Sequence, residues 1–441
     1  MWTSEAIESP RGSRIRDPRT VGAPERAAQA QIVPSAGGSD LNVLVLNCGS
    51  SSAKFAVIEP ATGAEAISGL AQRLGSAHAT LEWRLGGEKH VRDLHHADHE
   101  GALRAVVGLL EEAGLTRQLS GIGHRVVHGG ARFSGSIPIT EEVVDKIREC
   151  IPLGPLHNPP NLLGIRIAQE LFPRLPQVAV FDTAFHQTMP PQTYLYAVPY
   201  EWFEKHEVRR YGFHGTSHRY VSEQAARQLE LDPGDHALVT AHLGNGCSLA
   251  AVRDGKSVDT TMGLTPLDGV VMGTRSGSID PSIIAHMKKA LHRSADDVMD
   301  ILNKRSGLLG ISGLSNDMRT LREAAQNGHV RAALAIEKFC HSVAKAAAGM
   351  VVSLGRLDAF VFTGGIGENA TFVREKVISL LGFLGLTLDP ALNAVHGRGH
   401  GGRITSSRRP AALVVPTNEE LMIAMDSARI IAGEPHRVTA A

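Results

Sequence analysis

Cysteine is scarce in this chain. Cys48, Cys150, Cys247 and Cys340 are the four in 441 residues, and none forms a Cys-x-x-Cys pair. That spacing suggests neither a zinc site nor a disulfide framework. It fits a reducing compartment, so a cytoplasmic location is expected. Long apolar runs are missing too: none reaches the roughly 18–20 residues a membrane helix needs, so no membrane span is expected. There is no excess of charge, with 45 Lys plus Arg against 45 Asp plus Glu. A neutral balance argues against wholesale nucleic-acid binding, although a local basic cleft remains compatible with it. No His-Glu-x-x-His metalloprotease spacing occurs. The Walker A pattern is also absent, because its nearest match, Gly255-Lys256-Ser257, has Ala250 where the first glycine belongs. No protein-kinase catalytic-loop signature is found.

What is present points to a large globular enzyme. The length exceeds one hydrophobic core, and two domains, or three, are expected. Residues 1–40 are rich in Arg, Pro, Ser, Ala and Gly. Arg11, Arg14, Arg16, Arg19 and Arg26 hint at an organelle transit peptide, whereas Glu5, Glu8, Asp17 and Glu25 speak against one. With no continuous apolar segment, it does not read as a secretory signal, and the expectation is a disordered extension.

Ordered sequence begins at Leu41. Residues 41–46 read as a buried strand, 47–52 as a polar Gly/Ser turn, and 54–58 as a second strand. The same layout returns about 195 residues later, with strands at 237–241 and 247–252 around His242-Leu243-Gly244-Asn245-Gly246. Two such units suggest two domains of related architecture; two unrelated hairpins would look alike at this level. Residues 330–354 place Phe339, Val343, Ala347, Met350 and Leu354 at helical spacing. A short strand at 358–362 then runs into the Gly-rich turn 363–369, and a helix is expected from Ala370.

Three Gly-rich turns therefore follow three strands, at 47–52, 242–246 and 363–369. Together they favour a polyphosphate cradle, although any single Gly cluster is more often a structural turn. In Gly123-His124-Arg125-Val126-Val127-His128-Gly129-Gly130, Arg125 sits in an apolar strand. A buried guanidinium needs an anionic partner, which can be a ligand carboxylate, a phosphate or an internal Asp. His157 lies in what reads as a rigid polar loop, 156–161. Asp182 follows the strand 178–180, where α/β sheets hold ligands. His214 lies in a Gly/His turn opening a helix, where histidines can equally be core or capping groups. Arg275 lies among small residues in 272–281, so a close ligand approach is plausible there.

The runs Asn47-x-Gly49-Ser50-Ser51-Ser52-x-Lys54, Gly123 to Gly130, Asp182 to His186, Gly212 to His218, His242 to Gly246, Thr260 to Pro281, Gly364 to Asn369 and Pro416 to Leu421 resemble, in order, the acetate kinase family. The resemblance spans about 41–435. It implies an α/β fold with two similar domains of the actin-like ATPase (ribonuclease H-like) type, shared with sugar kinases and the Hsp70 ATPase. The active site would lie in the interdomain cleft. The N-terminal domain would comprise 41–188 plus 420–441, and the nucleotide-binding domain 189–419. The resemblance also implies a homodimer, ATP and acetate as substrates, and Mg²⁺, replaceable by Mn²⁺.

By motif, the resemblance makes Asp182, His214, Arg275 and His157 catalytic. It gives Arg125 to the acetate carboxylate, and Val127, Leu156, Phe213 and Pro266 to its methyl pocket. It assigns ATP to Ser50, Ser52, Lys54, His242, Leu243, Gly244, Asn245, Gly246, Asp317, Met318, Arg319, Gly365, Ile366, Gly367, Glu368 and Asn369. Asn47 and Glu419 would hold the metal, with Glu420 as the competing neighbour. Ala53 departs from the larger apolar residue common after the Ser run, which bears on local packing.

The implied reaction needs no base, because acetate is already ionised at pH 7. Charge neutralisation by Arg275, His214, Lys54 and Mg²⁺ would carry it, with Asp182 orienting Arg or metal-bound water. Propionate or butyrate kinase activity is the nearest alternative, and a non-catalytic nucleotide-binding member of the superfamily is the alternative of another class.

Overall fold

The computed structural model describes residues 41–434; the extension expected at 1–40 lies outside the described residues. The described residues form one compact unit. It is built on two mixed sheets, as an α/β fold requires.

The first sheet contains β1 (Asn42–Cys48), β2 (Ser52–Glu59), β3 (Ala64–Gln72), β4 (Thr80–Leu85), β5 (Glu88–Asp93), β6 (Leu119–Val126), β7 (Ile137–Pro138) and β8 (Gln177–Phe181). The second contains β9 (Ala237–Leu243), β10 (Cys247–Arg253), β11 (Lys256–Thr260), β12 (Ala359–Thr363) and β13 (Ala411–Val414). Their orders are β5-β4-β3-β2-β1-β6-β8-β7 and β11-β10-β9-β12-β13. The segment β3-β2-β1-β6-β8 repeats the pattern of the whole second sheet. In each, three antiparallel strands are followed by two parallel ones. The two hairpins expected from sequence are β1–β2 and β9–β10, at equivalent places in that pattern.

Central strands buried on both faces read as continuous apolar runs. Accordingly β8 and β12 are buried at every position, and so is the edge strand β13. The helix Val330–Leu354 packs on the second sheet through Phe339, Val343, Ala347, Met350 and Leu354, as its spacing predicts.

The helix Glu419–Ile431 follows the last strand of the second sheet but packs on the first. Its Ile423, Ala424 and Ala428 share a core with Val43, Val45, Ala56, Ile58, Val178 and Val180. This return brings Glu419 and Glu420 beside the β1–β2 turn. It depends on two glycines in β6. A Cβ on Gly121 would stand 2.3 Å from Ile431, and one on Gly123 would stand 2.4 Å from Ser427. The absence of side chains there sets the depth at which the helix lies.

Two boundaries differ from the sequence reading. Residues 156–161 are not all loop, because a helix starts at Asn158 and carries Pro159 and Pro160 in its first turn. Proline is tolerated there, where its missing N–H has no intrahelical partner anyway. The turn 363–369 contains one helical stretch of its own, Gly364–Asn369, broken at Ala370 before Thr371–Leu380.

Gly123→Val is expected to destabilise the fold by about 1–3 kcal/mol through overpacking beneath the returning helix. Denaturant unfolding measures this, and an unchanged midpoint would show that the helix seat is not fixed by Gly123.

Candidate active site

The site is organised at the C-terminal ends of β6 and β8. Arg125 is the penultimate residue of β6, and Asp182 follows β8 directly. Arg125 Nε and Nη2 donate to Asp182 Oδ1 and Oδ2 at 2.9 and 2.6 Å. Asp182 is 2% exposed, so this is a nearly buried, bidentate pair. Arg125 Nη1 also reaches Asn47 Oδ1, at the end of β1, over 3.4 Å. Of the partners the sequence left open for Arg125, the internal Asp is the one observed. Burial alone would lower the proton affinity of Arg125, but Asp182 and Glu419 reverse this and keep the guanidinium charged.

The strand end is braced by two buried amides. Asn161 Oδ1 accepts from Val127 N, and Asn158 Oδ1 accepts from His128 N. Asn161 Nδ2 also donates to the Cys48 carbonyl in the β1–β2 turn. These side chains supply the bonds a neighbouring strand would have given. His157 stands immediately before them at the helix start. Its proton affinity is lowered by burial and then by Arg275 and Arg125.

His214 is held beside Asp182 by the backbone. Gly215 N donates to the Asp182 carbonyl at 2.9 Å, and a Cβ on Gly215 would lie 2.2 Å from that oxygen. Glycine is therefore required at the first position of the helix Gly215–Gln228. His214 itself takes the left-handed conformation, φ 55°. Its Nδ1 lies 2.8 Å from Ser248 Oγ in β10, and its ring stacks on His242 at 4.3 Å. Burial, then His242 and His218, and then Arg125 and Arg275, hold its proton affinity well below the ordinary range. His214 is therefore neutral at pH 7.

Arg275 approaches from the other direction. A Cβ on Gly246 would lie 3.3 Å from Arg275 Nη1 and 3.4 Å from His214 Nε2, so these three meet at the β9–β10 turn. Arg275 Nη1 contacts the Pro266 carbonyl at 3.3 Å. Among the described residues no carboxylate forms an ion pair with Arg275, and burial lowers its proton affinity.

The nucleotide-type turns cluster on the same side. Thr363 pairs with His242 across β12 and β9, and Gly364, at φ +76°, packs on the Leu243 backbone. Asn316 Nδ2 donates to Asn245 Oδ1 at 3.0 Å. Gly365 has nothing within 4 Å of where its Cβ would stand, so that face of the turn is open. Glu368 folds back: its Oε1 accepts from Gly364 N and Thr417 N. Asp317 caps the helix Met318–Gln326 and pairs with exposed Arg319, while Met318 is a core residue.

Lys54 of β2 is paired with Glu420, leaving Glu419 beside Arg125 and Asp182. Burial raises the proton affinity of Glu419. Arg125 opposes this, while Asp182 and Glu420 add to it. Such a carboxylate, with the Asn47 oxygen near, suits a hard cation that keeps most of its waters and phosphate ligands. No group of three His, Cys, Asp or Glu poised to hold a metal occurs among the described residues. Val127 and Phe213 are buried in one cluster, and Pro266 adjoins Arg275, whereas Leu156 is 62% exposed. Ser50 is exposed at the tip of the β1–β2 turn, and Ser52 begins β2.

With the fold and site in view, the chain belongs to the Acetokinase family, whose profile matches residues 42–425. It is 52% identical over 389 residues to the acetate kinase of Chromobacterium violaceum, covering 88% of this chain and 98% of that one. To the acetate kinase of Ectopseudomonas mendocina it is 53% identical over 390 residues, covering 88% and 99%. Among solved structures, a propionate kinase from Francisella tularensis superposes with a TM-score of 0.84 at 49% identity, covering 88% and 98%. Porphyromonas gingivalis acetate kinase gives 0.83 at 42%, covering 89% and 100%.

Sequence reasoning missed the hydroxyl partners. Ser248 bonds His214 and His218, Ser217 bonds His242, and Thr417 bonds Ser217. The one available signal is their polarity within otherwise apolar strands and tight turns.

Buried neutral histidines make stability depend on pH. Burial pulls His124, His186 and His242 down to about 4, and it holds His214 and His218 well below the ordinary range too. In the unfolded chain these groups take up protons near pH 6.5, so their stabilisation is complete above that value. It is lost as the pH falls towards about 4. Glu419, Glu223 and Asp259 are raised and act in the opposite sense, but are outnumbered. The calorimetric midpoint is expected to fall between pH 7 and pH 5. A midpoint rising over that interval would show that these histidines are charged in the folded state.

Proposed function

We propose that this protein is an acetate kinase: it transfers the γ-phosphoryl group of ATP reversibly and in line to acetate, giving acetyl phosphate and ADP. The observation that carries the reading is the meeting of Arg275, which has no carboxylate partner among the described residues, with neutral His214 at Gly246, next to the Arg125–Asp182 pair. Family membership and relatives above 50% identity over nearly their full length support the same reading.

In this reading the unit has two lobes, 41–188 with 420–441 and 189–419, and the substrates meet between them. The Nη1/Nη2 edge of Arg125 receives the acetate carboxylate, since its Nε/Nη2 edge is committed to Asp182. Val127, Phe213 and Pro266 bound the methyl group, and Leu156 joins them on closure, which also excludes water. The nucleotide lies along 242–246, 316–319 and 365–369, with Ser50, Ser52 and Lys54 toward its phosphates. One acetate oxygen bonds to phosphorus as the bond to the ADP oxygen breaks. Negative charge then spreads over the equatorial oxygens, where Arg275 and His214 donate hydrogen bonds, with His157 nearby. Asn47 and Glu419 would hold Mg²⁺, which would supply further positive charge at the phosphates, and Mn²⁺ would suit the same donors. No proton has to be removed from the nucleophile, because acetate is already ionised. Asp182 therefore acts by orienting Arg125. A cytoplasmic homodimer with neither nucleic acid nor membrane as partner completes the proposal. No helix of the described residues is long and apolar enough to cross a membrane.

Propionate is the second substrate to test, given the Francisella likeness. One methylene is worth only ~1–3 kcal/mol, so discrimination is expected to be incomplete. Trapping acetyl phosphate as the hydroxamate, with ATP, Mg²⁺ and acetate, tests the reaction directly. No trapped product with acetate or propionate would refute it.

Arg125→Ala is expected to raise the acetate KM about 10- to 100-fold, the value of a charged hydrogen bond, with the ATP KM nearly unchanged. Because this substitution strands a buried Asp182, Arg125→Lys is the folded companion. An unmoved acetate KM in both variants would remove Arg125 from the site. Asp182→Asn should raise the same constant by loosening Arg125, and near-normal kinetics would contradict the orienting role.

A further inference from the structure

Arg374 is the largest of the fully buried side chains, at 0% exposure, and it lies outside every motif used above. It sits in the first turns of the helix Thr371–Leu380, directly beneath the turn Gly364–Asn369. Its Nη1 donates to the carbonyls of Gly367 and Glu368 at 2.9 and 2.8 Å. Its Nε donates to Asn393 Oδ1 at 2.8 Å and its Nη2 to the Asn393 carbonyl at 3.0 Å. Nη2 also lies 3.2 Å from His396 Nδ1, which itself stands 2.8 Å from the Glu368 carbonyl. Asn393 Nδ2 closes the set on the Thr371 carbonyl at 3.0 Å.

No carboxylate takes part among the described residues. Burial alone acts on the guanidinium, pulling its proton affinity down to about 10. Burying a cation without a counter-charge is costly unless its donors are used. Here Nη1 is spent on carbonyl oxygens at the C-terminal end of one short helical turn, and Nε and Nη2 are spent on Asn393. The other end of that turn is held by Glu368, whose carboxylate bonds Gly364 N and Thr417 N. The turn is thus clamped at both ends by opposite charges, while its outer face at Gly365 is open. Arg374 itself reaches nothing in the open cleft.

We propose that Arg374 is a positioning residue for the nucleotide: it fixes the height and tilt of the turn 365–369 from below without touching the ligand. The proposal rests on the reading of that turn as a nucleotide contact. A lysine at this position places one donor where the guanidinium fork places several.

Steady-state kinetics of the full chain test it. Arg374→Lys is expected to raise the ATP KM about tenfold and to halve or better the thermal shift given by ADP, while the acetate KM stays within about twofold. Asn393→Ala removes the Nε acceptor, leaves the arginine in place, and should move the same constant in the same direction by less. If Arg374→Lys does not fold, Asn393→Ala and His396→Gln decide. An unchanged ATP KM in the folded variants, or ATP and acetate constants rising together, would overturn the proposal. Gly365→Val separates the two claims, because its side chain would enter open space. If it leaves the ATP KM unmoved, the nucleotide reading of the turn fails. If it raises the ATP KM while the Arg374 set does not, the positioning role alone fails.

Discussion

Asp182 is bonded through every polar group it has. Its carboxylate takes the Nε/Nη2 edge of Arg125, its amide donates to the Val126 carbonyl, and its own carbonyl accepts from Gly215. One residue therefore joins the ends of β6 and β8 to the helix start that carries His214. The geometry of the site follows from this junction: moving Asp182 moves Arg125 and His214 together. It also explains two glycines nearby. Gly215 leaves room for the Asp182 carbonyl, and Gly129 lies against Phe181, the residue before Asp182.

The charges around that junction are arranged so that two remain unspent. Arg125 is paired with Asp182, and Lys54 with Glu420. Arg275 has no carboxylate partner among the described residues, and Glu419 is a carboxylate whose burial favours the neutral form. A site with one free cation and one destabilised anion is matched by a ligand carrying both signs, such as a polyphosphate with its divalent metal. Burial strengthens both attractions because little water screens them. The same burial keeps His214 uncharged, so its contribution is a directed hydrogen bond rather than a full charge.

Much of this architecture was legible in the sequence, for a local reason. Continuous apolar runs ending in Gly turns mark buried strands, and their repetition after about 195 residues corresponds to β1–β2 and β9–β10 at equivalent places in two sheets. The chemistry-bearing residues were legible because they sit at strand ends or turn tips, where motifs are contiguous. What was hidden depends on contacts far apart in the chain. Nothing near Arg125 reveals that Asp182, 57 positions away, will take its fork, and the sequence left a ligand and an internal acid equally open. The prolines at 159 and 160 suggested a loop because their role at a first helical turn depends on where the helix begins. Glu368 read as a nucleotide contact, yet its carboxylate caps its own turn and reaches Thr417, 49 residues on.

The hydroxyl partners add a constraint on protonation. Ser248 Oγ lies 2.8 Å from both His214 Nδ1 and His218 Nε2. A hydroxyl donates one proton, so at most one of the two imidazole nitrogens facing it can accept from it. For neutral His214 to direct an Nε2–H at a phosphoryl oxygen, its Nδ1 must accept from Ser248. His218 must then donate from Nε2, and its Nδ1 must accept from Thr240 Oγ1, 2.7 Å away. In this arrangement the tautomer of His214 is set three side chains deeper, at buried Thr240 of β9. Histidine at 218 serves as more than packing: it supplies the proton that Ser248 passes on in sense, though not in substance, to His214. In the proposed reaction no proton is exchanged with the substrate, yet the protons of the site must still be fixed, because each hydrogen bond to the transferred group requires a donor already facing it.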